Sequence, residues 1–505
     1  MLKSSSRILI AAAAAGLGLF TVAAWGQDGG GRGAGGRGGG GRGRGAQTPM
    51  PPIPASEEYL LLGDATRAAG EPMVAVDPTN PKHIIAVAMG DLNRIDGKNY
   101  TGNEMYHATD RSTITWLAVS HDGGLTWKVG ELPILSGKLT RCPDSFAGVT
   151  KDGKFLAGCE PRETSGDFFG MSAVVLSTDH GETWSKSAPI VNSYQQPPFA
   201  TGLKPRIGGN SPWDRPFLYF DDQTGAIYGM SSGGETDIDT GAPDKFRTQS
   251  YFTASHDNGL SFGTVYAVDS LDWPQQGRAS VAAGHGEFTE IYVAGKVPAS
   301  ENATCPCEVF GISHDEGKTF QRHVMKNIVI PAGGGGRGGG GPGGGPGISN
   351  LIADPTTTGR YSVMRSVSTP SPHYEVSTSN DSGKTWSDFV AAPGAPGASS
   401  DTKPWIEYSR DGVLGLMWRA IYPDRNYDIW AVISRDGGKS FSQALQVSHA
   451  KSPPPDYYRG GGLFGDDIQD LSMDKDNMHL VWGDSRSGFQ GVWYSRVALS
   501  NFKPQ

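Results

Sequence analysis

Arginine recurs at similar places along the chain, and such a set could grip an anion. Four arginines directly follow strand-like apolar stretches, in the segments CEPRE, VMRS, MWRA and GDSR, and these are Arg162, Arg365, Arg419 and Arg486. Guanidinium groups that converge on one cavity bind a carboxylate, phosphate or sulfate bidentately, so these residues are candidate ligand-binding groups. The alternative is that each arginine pairs with a neighbouring Asp or Glu and joins adjacent elements.

Hydrolysis of a sugar would need a second set of residues. Two carboxylic acids, or a Tyr paired with an acid, must flank one sugar, and one of them needs a raised pKa. The candidates for catalytic roles are Glu71, Glu104, Glu163 and Tyr422. A pocket lined by Tyr, Trp and Arg without a matched acid pair would bind a glycan and not cleave it.

Six aspartates lie in one eight-residue pattern, Ser-x-Asp-x-Gly-x-Thr/Ser-Trp/Phe, which we call the box. The boxes begin at Ser120, Ser177, Ser255, Ser313, Ser379 and Ser434, and their aspartates are Asp122, Asp179, Asp257, Asp315, Asp381 and Asp436. A short carboxylate accepts hydrogen bonds from its own turn, and glycine supplies a positive φ. A catalytic carboxylate need not recur once per repeat, so we interpret all six as structural.

The elements around the boxes predict an all-β propeller. The box aspartates are 55 to 78 residues apart, the size of a four-stranded blade. A second apolar pattern precedes each box and occurs seven times, from EPMVAVDP at Glu71 to QDLSMDKD at Gln469. Seven blades would average about 62 residues and six about 72, so seven are favoured. The last unit ends before a box, and the segment EYLLLG at Glu58 could supply its outer strand and close the ring.

Composition and the N-terminal segment limit the classes to which the protein can belong. The chain has 505 residues and a net charge of −8, which disfavours a basic nucleic-acid binder. Residues 1–26 carry Lys3 and Arg7 before an apolar run and predict a secretory signal peptide, with an uncleaved anchor as the alternative. The mature chain would then be secreted or periplasmic, without a transmembrane anchor.

Two Gly-rich tracts lack the apolar content of a core. Residues 27–57 form a Gly/Arg-rich leader that we expect to be a disordered tether, since nucleic-acid binding by its arginines does not fit an exported chain. A second tract, residues 333–347, is an insertion within the predicted propeller, which spans residues 58–505. Loop closure costs little extra entropy as a loop lengthens, so the fold tolerates it.

The boxes make the sequence resemble the Asp-box, or BNR-repeat, propellers of the sialidase superfamily, over nearly the whole span from Glu58 to the end. The resemblance implies a propeller that serves as an exo-sialidase, another glycoside hydrolase, a sorting-receptor ectodomain or an assembly factor. Sialidases carry a Phe/Tyr-Arg-Ile-Pro motif ahead of the first box, an arginine triad, a Tyr–Glu nucleophile and an Asp acid/base. Here Glu71 stands where the motif's arginine is expected, so no catalytic residue is transferred from the family.

Two functions follow from these observations. One is an exo-sialidase-like glycoside hydrolase that binds an anionic or carbohydrate ligand on the face opposite the boxes. The other is a non-catalytic scaffold of the cell envelope that binds a glycan or a protein partner. The net charge disfavours nucleic acid, and we expect no cofactor and no metal. Zinc in particular has little support, because neither His-Glu-x-x-His nor paired Cys-x-x-Cys occurs. In an exported chain the four cysteines favour disulfides, and we predict that Cys142 pairs with Cys159.

Overall fold

The computed structural model describes most of the chain after residue 56. The described ranges are 57–64, 67–91, 113–135, 139–163, 171–192, 214–236, 247–270, 272–326, 348–368, 370–454 and 468–505. The predicted signal peptide, nearly all of the Gly/Arg-rich leader and the Gly-rich insertion at 333–347 lie outside the described residues. Within them, no helix is long and apolar enough to cross a membrane.

The described strands form seven four-stranded antiparallel sheets, the blades I to VII of a β-propeller. The first strand, β1 (Glu57–Leu62), belongs to blade VII. Blade I consists of β2 (Ala68–Val76), β3 (Ile84–Asp91), β4 (Thr113–Ser120) and β5 (Lys128–Glu131). A short pair, β6 (Leu139–Arg141) with β9 (Arg162–Glu163), flanks blade II, whose strands are β7 (Phe146–Val149), β8 (Phe155–Cys159), β10 (Met171–Ser177) and β11 (Ala188–Asn192).

The next three blades follow the same order. Blade III has β12 (Asp214–Phe220), β13 (Ile227–Thr236), β14 (Arg247–Ser255) and β15 (Tyr266–Ala267). Blade IV has β16 (Gln275–Gly284), β17 (Glu287–Ala294), β18 (Cys307–Ser313) and β19 (Gln321–Val324). Blade V has β20 (Ile348–Ala353), β21 (Tyr361–Val367), β22 (His373–Ser379) and β23 (Val390–Ala391).

The last two blades complete the ring. Blade VI has β24 (Ser400–Tyr408), β25 (Leu414–Ile421), β26 (Tyr427–Ser434) and β27 (Leu445–Gln446). Blade VII has β28 (Asp470–Met473), β29 (Asn477–Asp484) and β30 (Gly491–Ala498), with β1 as its outer strand. The described residues also include two 3₁₀ turns, Ala299–Glu301 and Leu499–Asn501. The all-β, seven-bladed prediction is therefore confirmed, and so is the ring closure by the segment at Glu58.

The first strand of each blade lines the axis of the propeller. Each first strand contacts the first strands of both neighbouring blades, and β28 contacts β2, so these seven strands form the inner ring. Buried apolar residues fill the spaces between blades, as where Trp418 and Trp430 of blade VI pack with Tyr374 and Val376 of blade V. Both faces of each blade are covered, which is why these strands read as apolar runs without alternation.

All six boxes form the same turn between the third and fourth strands of their blades. In the second box the Ser177 hydroxyl donates to Asp179 at 2.8 Å, and both the backbone N–H and the hydroxyl of Thr183 donate to the same carboxylate, at 2.8 and 2.5 Å. These hydrogen bonds lower the pKa of Asp179 to about 2. The sequence-based interpretation of the six aspartates as turn residues agrees with this geometry.

The box glycine also forms a contact between blades. Gly383, with φ of +80°, lies so close to Phe310 of blade IV that a Cβ would approach that ring to 2.0 Å. Trp386, from the same box, stacks edge-on against Phe310 with ring centroids 5.5 Å apart. Each box thus ends a hairpin and also packs its blade against the preceding one.

We expect Asp179→Asn to lower the melting temperature at pH 7 by about 2 °C or more, because the amide cannot accept all of the donors that face the carboxylate. The folded-state pKa is depressed, so this stabilisation is present above about pH 4 and is lost as the pH falls through 2. Thermal melts of the variant and the wild type should therefore converge at low pH. Asp388→Asn, at an exposed position outside the boxes, is the control. Melting curves that coincide at pH 7 would contradict this role.

Candidate functional site

The sequence-predicted catalytic residues do not meet in one described site. Glu104 lies outside the described residues, and of Glu163 only the backbone, in β9, is described. Glu71 is buried in β2 at a bulge, with a left-handed φ of 49°. Tyr422 follows β25 and is also buried, and its hydroxyl accepts a hydrogen bond from the Trp430 indole at 3.0 Å.

Two of the candidate ligand-binding arginines are held by carboxylates. Arg365 pairs with Glu375 at 2.5 Å, and its guanidinium lies 3.9 Å from the centre of the Phe389 ring. Arg486 bridges Asp484, at 2.7 Å, and Glu58 of β1, at 2.5 Å. These contacts match the alternative weighed for the arginines, in which each one joins neighbouring elements.

Of the other two arginines, the structure describes the side chain of Arg419 but not that of Arg162. Arg419 is 1% exposed, donates to the Gly483 carbonyl at 3.3 Å and lies over the Tyr427 ring at 4.2 Å. Of Arg162 only the backbone is described. The convergence of the four arginines on one anion therefore remains a prediction.

A buried acidic cluster accompanies Tyr422 at the end of blade VI opposite its box. Burial raises the pKa of Asp401 to about 7, against the opposing effects of His373 and of the Trp418 indole. Burial also raises the pKa of Asp428, which accepts a hydrogen bond from Ser448 at 3.1 Å. Both carboxylate oxygens of Asp401 are shielded from solvent, so the cluster is closed to a ligand in this conformation.

The described residues enclose a cavity of about 560 Å³ on the propeller axis, which we call the axial cavity. Its walls come mainly from the first strands of blades I, II, III, VI and VII and the turns that follow three of them. A second cavity of about 510 Å³ adjoins it and shares Tyr219, Trp405 and Glu407. The turns that line the axial cavity belong to the same end of the blades as the boxes, not to the end where sequence analysis placed the ligand.

Two carboxyl groups in the wall of the axial cavity interact with each other. Glu407 in β24 and Asp470 in β28 both have raised pKa values, that of Asp470 reaching about 8. Burial is the main cause for both, and the negative charge of Asp470 raises the pKa of Glu407 further. Both carboxyl groups therefore keep their protons at neutral pH, and Asp470 ionises only as the pH rises through about 8.

Hydrogen bonds distinguish the two members of the pair. Asp470 accepts backbone N–H bonds from Val74 at 2.9 Å and from Leu471 at 2.8 Å, which favour its ionised form. Glu407 accepts one from the Ser472 hydroxyl at 3.3 Å. Trp405, two residues before Glu407, and Phe217 supply aromatic rings to the same cavity. Asp470 is thus the better carboxylate and Glu407 the better acid.

Sequence analysis missed Glu407 and Asp470, although both lie in segments that it singled out as first strands. A signal was present, because in each segment an acid interrupts an apolar strand. What the sequence did not contain was their proximity, which depends on how β24 and β28 lie side by side in the ring.

The described residues include one group of three side chains close enough to share a metal ion. Asp77, His83 and His180 each offer a ligand atom, and these atoms lie within 4.8 Å of one another. Burial lowers the pKa of His83, and the neighbouring His180 lowers it further. Two disulfides are also formed, Cys142–Cys159, with its Cα atoms 5.4 Å apart, and Cys305–Cys307.

The carboxyl pair gives a testable pH dependence of stability. Because the folded-state pKa values exceed the usual values near 4, the native state binds more protons than the unfolded state between about pH 4 and 8. Stability should therefore fall as the pH rises through this range. We expect Glu407→Gln to flatten this decline and to raise the melting temperature at pH 8.5 by about 2 °C or more. The stability of Asp388→Asn should follow that of the wild type. If the stability of Glu407→Gln fell with pH as steeply as that of the wild type, a raised pKa of Glu407 would be contradicted.

Comparison with known protein families identifies the type of the repeat. The model of the BNR/Asp-box repeat matches residues 175–186, which contain the second box. No curated protein sequence matches the chain significantly.

Three solved structures illustrate the likeness of the fold. A protein of unknown function from Dyadobacter fermentans is 14% identical with a TM-score of 0.45, and the match covers 88% of this chain and 99% of that one. The NanB sialidase from Streptococcus pneumoniae is 12% identical with a TM-score of 0.44, over 88% and 95% of the two chains. The α-L-arabinanase from Penicillium chrysogenum is 12% identical with a TM-score of 0.42, over 89% and 100%. The chain is thus a seven-bladed β-propeller that carries BNR/Asp-box repeats, six boxes of one hydrogen-bond geometry.

Proposed function

We propose that the protein is a secreted glycoside hydrolase that binds a carbohydrate in the axial cavity. The observation that carries this proposal is the interacting pair Glu407 and Asp470 in the wall of a cavity of about 560 Å³. Groups with strongly perturbed pKa values in the wall of a cavity are the first candidates for an active site. The predicted signal peptide at residues 1–26 would place this cavity outside the cytoplasm, where it would meet polysaccharide.

The two carboxyl groups divide the chemistry between them. Hydrolysis needs a protonated acid to donate to the glycosidic oxygen and a carboxylate to act as base or nucleophile on the other side of the sugar. Once Asp470 ionises, its charge raises the pKa of Glu407 further, so Glu407 is the group that stays protonated and is the general acid. Asp470, oriented by the N–H groups of Val74 and Leu471, becomes the carboxylate as the pH approaches 8.

The lining of the cavity favours a neutral sugar. Trp405 and Phe217 contribute apolar surface to the lining, and carboxylates accept hydrogen bonds from sugar hydroxyls. Acids outnumber cations in the lining, where Asp77, Asp411 and Asp474 join the pair and Arg410 and Lys475 are the cationic members. Once the pair ionises, an anionic ligand would meet a negative field there, which argues against the sialoside that the family resemblance implies.

A non-catalytic carbohydrate-binding scaffold of the cell envelope is the second candidate. One observation favours it: each oxygen of Asp470 accepts a backbone N–H, one of them from β2 of blade I. An acid with these hydrogen bonds can have a structural role, because it links blade VII to blade I. Under this alternative the cavity binds the glycan, and Glu407 contributes a hydrogen bond in place of a proton transfer.

The test is an activity screen of the chain from Gln27 onward against fluorogenic neutral glycosides and sialosides. We expect cleavage of a neutral glycoside and a loss of about 10²–10⁴-fold in kcat/KM for Glu407→Gln, because the amide cannot donate a proton to the leaving group. The variant should still bind the glycan, as measured by calorimetry. Asp388→Asn is the control and should retain full activity.

Three results would overturn parts of the proposal. Binding without cleavage of any substrate would identify the scaffold. Cleavage that survives Glu407→Gln but is lost in Asp401→Asn would move the active site to the cluster around Tyr422. Cleavage confined to sialosides would restore the anionic ligand expected from the sequence.

A further inference from the structure

A second cluster of chemistry-bearing side chains bridges blades I and II at the box end. Asp77 and His83 belong to the turn that joins β2 to β3, and His180 occupies the fourth position of the second box. The Nδ1 atoms of His83 and His180 lie 3.4 and 3.6 Å from Oδ2 of Asp77. The two imidazole rings lie with their centroids 3.8 Å apart and their planes tilted by 35°.

The two oxygens of Asp77 are used differently. Oδ1 accepts hydrogen bonds from the backbone N–H and the hydroxyl of Thr79, both at 2.7 Å, and from the N–H of Asn80 at 3.2 Å. These bonds fix the orientation of a carboxylate that is fully buried. Oδ2 faces the two imidazoles at distances longer than the 2.7–3.2 Å of a good N–H···O hydrogen bond. His180 Nδ1 makes no hydrogen bond with any described residue.

The repeat supplies an internal comparison at blades V and VI. Asp354 occupies the same turn as Asp77, and its Oδ1 accepts the same two bonds, here from Thr356. Arg360 stands where blade I has His83 and donates to Oδ2 of Asp354 at 2.9 Å. The fourth box position, His180 in blade II, is Gly437 in blade VI, and a Cβ there would lie 3.3 Å from Arg360. In blade V the permanent cation of Arg360 thus neutralises the Asp354 carboxylate. In blade I two imidazoles face the equivalent carboxylate of Asp77.

The distances fit ligands that share one ion. Ligands placed tetrahedrally at about 2.0–2.1 Å from Zn²⁺ are roughly 3.3 Å from each other, close to the 3.4 and 3.6 Å observed. Two imidazoles and one carboxylate are ligands that Zn²⁺ and its neighbours prefer, whereas Ca²⁺ and Mg²⁺ take oxygen ligands.

We propose that Asp77, His83 and His180 bind one divalent transition-metal ion, Zn²⁺ by preference, and that this ion clamps blade I to blade II. It replaces the cation that Arg360 supplies between blades V and VI. Three protein ligands leave a fourth position open, and His83 and His180, with side chains 19% and 35% exposed, give water access to it. This site is separate from the Glu407–Asp470 pair, and its test does not depend on enzymatic activity.

The experiment compares metal-free wild type, free of any affinity tag, with two variants whose new residues are taken from other boxes of the same chain. His180→Gly copies the residue of the sixth box at this position, where the left-handed φ of 56° suits glycine. His256→Thr, the control, removes an exposed histidine of the third box in favour of the residue that the second box has at that position. Titration calorimetry with Zn²⁺ and absorption spectra with Co²⁺ report binding, and thermal melts report the clamp.

We expect one Zn²⁺ per wild-type chain, a tetrahedral Co²⁺ spectrum, and a melting temperature raised by about 3 °C at zinc 100-fold above its Kd. His180→Gly should fold, bind Zn²⁺ at least about 100-fold more weakly and lose the thermal shift. His256→Thr and the wild type should behave alike, and Ca²⁺ should shift neither. The proposal fails if wild type does not bind Zn²⁺, or if His180→Gly binds it as tightly as wild type does.

Discussion

Closure of the ring is the constraint on which the rest of this structure depends. Each blade is apolar on both faces and is stable only when a neighbour covers each face, so an open row of blades would leave two apolar surfaces in water. The chain closes the row by pairing β1 from its N-terminal side with β30 from its end. Arg486 fastens this joint, since it binds Asp484 of its own blade and Glu58 of β1. Arg486, which the sequence suggested as a ligand for an anion, thus helps to close the ring.

The boxes determine how the blades fit within that ring. Each box holds its turn with the same hydrogen bonds and presses its glycine against the preceding blade, which fixes the distance between neighbours. Because the backbone of the turn is held by Ser, Asp and Gly, the second and fourth positions are free to vary. Position four carries His180 in one box and Gly437 in another, on closely similar turns. Chemistry can therefore change at such a position without a cost to the fold.

The repeat made the fold predictable, whereas the site was not. The boxes and the apolar pattern that precedes them are local information, and together they were enough for seven blades, for box turns between third and fourth strands and for closure by β1. A site depends on side chains far apart in sequence. Arg365 meets Glu375 through the register of β21 and β22, and Glu407 meets Asp470 because blades VI and VII are neighbours. The sequence suggested that the arginines bind an anion. Their carboxylate partners could be identified only once the pairing of the strands was known. His83 and His180 are nearly one hundred residues apart and had no local motif to indicate a shared ion.

Asp77 connects the two proposed sites. It is a ligand of the proposed ion, and it also lines the axial cavity that contains Glu407 and Asp470. A divalent cation on Asp77 adds positive charge at the wall of an otherwise acidic cavity. Through-space attraction then favours ionisation of the carboxyl pair, so a bound metal should lower the pKa values that burial raises. A metal ion bound at Asp77 would thus couple the contact between blades I and II to the protonation of Glu407 and Asp470.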